Sequence, residues 1–204
     1  MGKASLPFSK DRRSELPRFC DCEKDGVHRL VHRRLRLRLN PFPMQSKAKF
    51  LGHPLHPILI AFPLGLLPVA VLFDCIHLGS GNGLWAQIAY YLIAVGVLGG
   101  LLAALFGTID WLAIPAGTRA KRIGSLHGAI NVAVMALFAL SWWLRRADPT
   151  KPGLLPIVLG IVALGLAGVA GWLGGELIYR LSVGVDEGAH LDASNSLTHR
   201  SARD

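Results

Sequence analysis

Four apolar runs, residues 58–78, 85–112, 123–144 and 154–179, decide the fold class before any motif is considered. Each is long enough to cross a hydrocarbon core of about 30 Å at about 1.5 Å of rise per residue. Within each run the apolar residues cover every face of the helical wheel, the pattern of a helix surrounded by lipid and by other helices. With 51% hydrophobic residues in a chain of 204, a soluble protein would interleave core and surface more finely than this. The expectation is an all-α, antiparallel four-helix transmembrane bundle.

Charge falls outside the runs. The net charge is +9, and residues 1–43 carry 11 Lys and Arg against 5 Asp and Glu. That segment crowds Arg33, Arg34, Arg36 and Arg38 together, is interrupted by Pro7, Pro17, Pro41 and Pro43, and shows no periodicity. It reads as a disordered basic tail that meets anionic lipid headgroups rather than nucleic acid. The chain divides into a tail over 1–47, a membrane domain over 48–181 and a polar C-terminal tail over 182–204. Met44 stands directly before the membrane domain, so translation is expected to start there; an intact mass of the native protein that includes upstream residues overturns this.

Three cysteines build no disulfide framework. Cys75 lies inside the first run, where a thiol behaves as a small hydrophobe. Cys20 and Cys22, followed by His28 and His32, depart from the usual C-x2-4-C zinc spacing and are not read as a metal site.

Lys and Arg near the helix ends set the orientation. Lys47 and Lys49 precede the first helix and Arg119, Lys121 and Arg122 fill the second loop, which places the N-terminus, the second loop and the C-terminus in the cytoplasm, at the bacterial inner membrane. Arg145, Arg146 and Lys151 in the third loop argue the other way. Trp85, Trp111, Trp142 and Trp143 fall near helix ends as interfacial anchors do. Pro63 and Pro68 are expected to kink the first helix. Glycines at 96, 99, 100 and 107 in the second helix, and at 160, 165, 168, 171, 174 and 175 in the fourth, predict that these two pack centrally.

Helix parity brings the polar residues together. In an antiparallel bundle His53 and His56 at the start of helix one, Asp110 at the end of two, His127 at the start of three and Glu176 at the end of four share one end, with Asn131 one turn deeper than His127. His56 precedes His127 by 71 residues and Asp110 precedes Glu176 by 66, the mark of a duplicated hairpin. Two readings of the cluster stand. In one, His56 caps the first helix before Pro57, and the carboxylates pair with Arg119, Arg122 or Arg180 to fix the bundle. In the other, His56 and His127 ligate a haem b iron from opposed helices, with His53 as a second ligand or orienting residue and those arginines on the propionates. In a second form of this ligation reading, His53, His56, His127, Asp110 and Glu176 together form a nitrogen and oxygen donor set for a divalent metal. Asp74 and His77 at the opposite end, three apart on one face, read as an interfacial pair or, in a transport protein, an ion entrance.

The runs GHPLHPILIAFPLGL from Gly52, GTIDWLAIPAGTRAKRIGSLHGAIN from Gly107 and GGELIYRLSVGV from Gly174 resemble a bacterial family of predicted membrane proteins known as domain of unknown function 2231. The resemblance covers roughly residues 48–187. It implies a four-helix inner-membrane protein, sometimes encoded near or fused to redox proteins such as Rieske-type centres, and so a redox protein as partner. The family's positions carry over as His53, His56, Asp110, His127 and Glu176, whereas the histidine that follows its Tyr-Arg is Leu181 here. No hydrolase signature, phosphate loop or nucleophile triad accompanies these motifs, so no enzymatic activity is expected. A transport protein or a structural subunit of a membrane complex are the rival classes.

Overall fold

The computed structural model describes residues 44–198. The disordered tail and the Cys20, Cys22, His28, His32 run expected from the sequence lie outside the described residues. A small hairpin, β1 (Lys49–Phe50) and β2 (His53–Pro54), precedes the helices. Its two-residue turn needs positive φ at both Leu51 and Gly52, and Gly52 meets that without strain. Then follow α1 (Leu55–Leu59), α2 (Ala61–Ser80), α3 (Gly83–Ala113), α4 (Arg119–Arg145) and α5 (Leu154–Gly175), which continues through one π-helical turn, Glu176–Arg180.

The four stretches Leu55–Ser80, Gly83–Ala113, Arg119–Arg145 and Leu154–Arg180 are each long and apolar enough to span a membrane. The first is divided at Ile60. Pro63 supplies the reason, because its missing N–H leaves the Leu59 carbonyl without its i+4 donor. Gly81, left-handed at φ 67°, ends α2; the Asn82 side chain caps α3 by accepting from Leu84 N at 3.0 Å; the Thr118 hydroxyl caps α4 by accepting from Lys121 N at 3.1 Å. Between α4 and α5, Asp148 accepts from Thr150 Oγ1 and Thr150 N, and these bonds hold its carboxyl below the ordinary carboxylate range.

Packing inverts the soluble pattern. Ala86, Ala89, Ala103, Ala163 and Ala170 are buried, while Leu64, Leu98, Val132 and Trp172 are each more than 60% exposed, facing what would be lipid. The glycines expected to bring helices two and four together have other neighbours. Gly96 and Gly99 of α3 lie against Leu67 and Phe62 of α2, Gly100 lies against Met135 of α4, and Gly165, Gly168 and Gly171 of α5 face open space. The principal packing is therefore α2 on α3 and α4 on α5, two antiparallel hairpins set side by side.

The hairpins repeat each other. Buried Leu67, Ala70 and Asp74 of α2 recur 71 residues later as buried Phe138, Ser141 and Arg145 of α4, the same offset that links His56 to His127. Buried Ala89, Ile93, Gly96 and Ala103 of α3 recur 67 residues later as Pro156, Gly160, Ala163 and Ala170 of α5. The two hairpins thus bury corresponding positions at a constant offset in each helix pair.

Where the first helices of the two repeats meet, Arg145 Nη1 and Nη2 donate to Asp74 Oδ1 and Oδ2 at 2.6 and 2.7 Å. Both side chains are within 1% of complete burial. Asp74 thus pairs with Arg145 and not with His77, whose Nδ1 lies 3.0 Å from the Asn82 carbonyl. Trp142 stacks on Tyr90 with ring centres 5.5 Å apart, a packing role in place of the anchoring one. Removing one partner of a bidentate buried pair strands a charge, so Asp74→Asn or Arg145→Met alone is expected to cost about 3–5 kcal/mol in detergent unfolding. The double change Asp74→Leu with Arg145→Met is expected to restore most of that loss, because it strands no charge.

Candidate functional site

At the opposite end, on α1 and α4, the repeats meet again through histidine. The His56 and His127 rings stand 6.5 Å apart between centroids, with planes at 84°. Each is fixed in the same way. His56 Nδ1 lies 2.8 Å from the Ala103 carbonyl of α3, and His127 Nδ1 lies 2.9 Å from the Ala170 carbonyl of α5. A carbonyl only accepts, so each Nδ1 carries a proton and donates, which leaves Nε2 as the ring nitrogen that can accept or ligate.

The carbonyl is reachable for a definite reason. Residue i+4 of a helix normally covers the carbonyl of residue i, and here those residues are Gly107 and Gly174. An ideal Cβ on Gly107 would sit 2.8 Å from His56 Nδ1, and one on Gly174 would sit 3.3 Å from His127 Cε1. Lacking Cβ, the glycines let an imidazole from the neighbouring helix use the second lone pair of a carbonyl already bonded within its own helix. Asn131 Nδ2 donates to the His127 carbonyl at 2.9 Å and lies 3.2 Å from His127 Nε2.

The carboxylates are occupied elsewhere. Asp110 accepts from Ser46 Oγ at 2.8 and 2.9 Å, from Lys47 N at 2.7 Å and from Ala48 N at 3.3 Å. Ser46 and Lys47, which composition assigns to the tail, are therefore tied to the end of α3. Glu176 accepts from Arg119 Nη2 at 2.8 Å and lies 4.0 Å from Arg180 Nε. In both repeats the carboxylate at the end of the second helix holds the segment that leads into the first helix of its own hairpin. His53 is exposed on β2, with Nε2 3.5 Å from Ser196 Oγ. The five residues expected to converge thus divide: His56 and His127 meet, while Asp110, Glu176 and His53 have other partners. Among the described residues no group of three or more His, Cys, Asp or Glu could hold a metal ion.

A second layer covers this end. Met44 bridges Val183 in parallel, Gly184 N donates to the Met44 carbonyl at 2.6 Å, Lys49 pairs with Asp186, and Ser196 Oγ donates to the Leu51 carbonyl at 3.2 Å. The strap before the first span and the tail after the fourth are thereby knitted together.

The family model for a predicted membrane protein, DUF2231, matches residues 52–187. The chain belongs to the DUF2231 family. The match begins at the β1–β2 turn and ends just past Val183, Gly184 and Asp186 of the tail, so it takes in His56, His127, Asp110, Glu176 and all four spans of this DUF2231 protein. No curated protein and no solved structure matches it.

Sequence reasoning reached His56 and His127 through parity but missed Arg145, read as a loop residue, and missed the glycines as carbonyl openers. The 71-residue offset, applied to Asp74, leads directly to Arg145. Gly107→Ala is expected to push the His56 ring off Ala103 and cost about 1–3 kcal/mol in detergent unfolding, with a smaller loss for Gly174→Ala. A changed imidazole 15N shift of His56 in the Gly107→Ala protein checks the cause.

Proposed function

We propose that this protein is a membrane redox or metal-cofactor protein in which His56 and His127 together ligate one haem iron or metal ion. The observation that carries the reading is the matched hydrogen bond from each Nδ1 to a helix carbonyl. Ligating histidines characteristically donate their other N–H to a carbonyl or carboxylate, which fixes the tautomer and raises the basicity of the bonding nitrogen. The two rings owe this preparation to different helices of different repeats, so neither follows from the other by local geometry.

The spacing supports the same reading. A metal bound trans by two imidazoles at about 2.0–2.1 Å holds the ring centres about 6 Å apart, close to the 6.5 Å observed. His53, on the exposed hairpin, is assigned an outer role, and Asp110 and Glu176 act as tethers of the two hairpins rather than as ligands.

Orientation joins the proposal. Arg145 is neutralised by Asp74 inside the bundle and Arg146 lies over the Trp143 ring at 3.4 Å, so the third loop presents less free positive charge than its sequence implies. The end that holds the histidines, flanked by Lys47, Lys49, Arg119, Lys121 and Arg122, then faces the cytoplasm. Transport is the weaker reading, because Asp74, the entrance it requires, is closed by Arg145.

The test is the protein purified in mild detergent from membranes grown with ample haem and metals, followed by reduced and oxidised absorption spectra and total metal analysis. About one equivalent of haem or metal is expected, lost on His127→Ala and on His56→Ala. Folded protein with neither haem nor stoichiometric metal overturns the reading.

A further inference from the structure

We infer that the ion held by His56 and His127 is monovalent copper, bound between the two imidazoles in near-linear geometry. The inference rests on the bis-histidine reading and deepens it. Four observations select the ion.

Donor number comes first. Among the described residues no third His, Cys, Asp or Glu joins the pair. Zinc takes four donors, and divalent copper asks for a tetragonal set. A closed-shell monovalent ion has no ligand-field preference and is satisfied by two collinear donors, and imidazole is within the range copper accepts.

Spacing comes second. Two imidazoles at a tetrahedral angle bring their ring centres to about 5 Å, while a collinear arrangement sets them about 6 Å apart. The observed 6.5 Å lies on the collinear side.

Charge comes third. Both Nδ1 protons are committed to carbonyls, so the two ligands are neutral. Asp110 is turned to Ser46, Lys47 and Ala48, and Glu176 is paired with Arg119, so neither carboxylate is a ligand at the pair. With no anionic ligand, a divalent ion keeps its full charge at the pair, and a monovalent ion brings half of it.

Room comes fourth. A haem must pass its macrocycle between the rings, whereas each ring is seated directly on a glycine of the neighbouring helix. The propionate partners Arg119 and Arg180 also lie against Glu176. A bare ion needs only the gap between the imidazoles. Asn131 Nδ2, 3.2 Å from His127 Nε2, is a group it has to displace there.

The experiment is anaerobic titration of the full-length protein in detergent with an acetonitrile complex of copper(I), in competition with a chromogenic copper(I) chelator. Cys20, Cys22 and Cys75 are all changed to Ser, to remove thiolate binding. One equivalent is expected, with X-ray absorption reporting two nitrogen neighbours, and His56→Gln or His127→Gln is expected to weaken binding at least tenfold. Glutamine keeps an amide N–H for the carbonyl, so the variants address ligation more than folding. Should they not fold, Asn131→Ala must tighten copper(I) binding about threefold or more by removing the competing hydrogen bond; unchanged affinity overturns the inference. Copper(I) binding that survives both Gln variants also overturns it. Binding of zinc or haem by the pair with no copper(I) binding overturns the choice of ion and leaves the bis-histidine reading standing. No ligand at the pair at all overturns both.

Discussion

A helix carbonyl that serves two donors is the interaction on which this end of the bundle depends. Ala103 and Ala170 lie within helices that already use their carbonyls, and each accepts a second bond from an imidazole of the adjacent helix. In a bilayer no hydrophobic force draws helices together, so close approach must come from small residues and from polar bonds between helices. Gly107 and Gly174 meet both needs at once, because the missing Cβ lets the helices close and uncovers the carbonyl. The same substitution pattern along α3, with Gly96 and Gly99 against Leu67 and Phe62, extends the contact over the length of the hairpin.

The repeat converts these local contacts into a plan. An offset of 71 residues relates His56 to His127 and Asp74 to Arg145, so the first helices of the two hairpins meet twice, once at each end. At one end the corresponding residues are identical, and two imidazoles stand 6.5 Å apart. At the other they carry opposite charges, and a bidentate ion pair closes the bundle. Identical ionisable groups at a meeting point gain nothing from each other, whereas opposite ones attract. The structural gain lies with Asp74 and Arg145, and the histidines are held instead by their own helix partners. A pair that is positioned individually and not by mutual attraction is what a shared ligand requires.

Much of this was legible in the sequence, and the rest was hidden for physical reasons. The four spans, their order and the end at which His56, Asp110, His127 and Glu176 gather follow from run length and parity alone. The helix pairing did not follow, because a glycine reads the same whether it faces a neighbour, as Gly99 does, or lipid, as Gly168 does. Arg145 was misread since the last residue of an apolar run is normally an interfacial charge, and only its partner 71 residues away reveals burial. The carboxylates looked like donors because spacing cannot tell an open carboxylate from one already filled by Ser46 Oγ and two backbone N–H groups.

That last distinction bears on how such sites should be read. A carboxylate at a helix end can neutralise a cation or tie down the chain that enters the next helix, and it cannot do both at full strength. Asp110 uses its oxygens on Ser46, Lys47 and Ala48, and Glu176 uses its own on Arg119, the residue that opens α4. With both carboxylates turned to these partners, the ligand chemistry left at this end is that of two imidazoles 6.5 Å apart. Such a pair favours a ligand of low charge and few coordination demands over the hard divalent ions that carboxylate clusters attract. The tethers that hold the hairpins shut therefore also narrow what the histidines can bind.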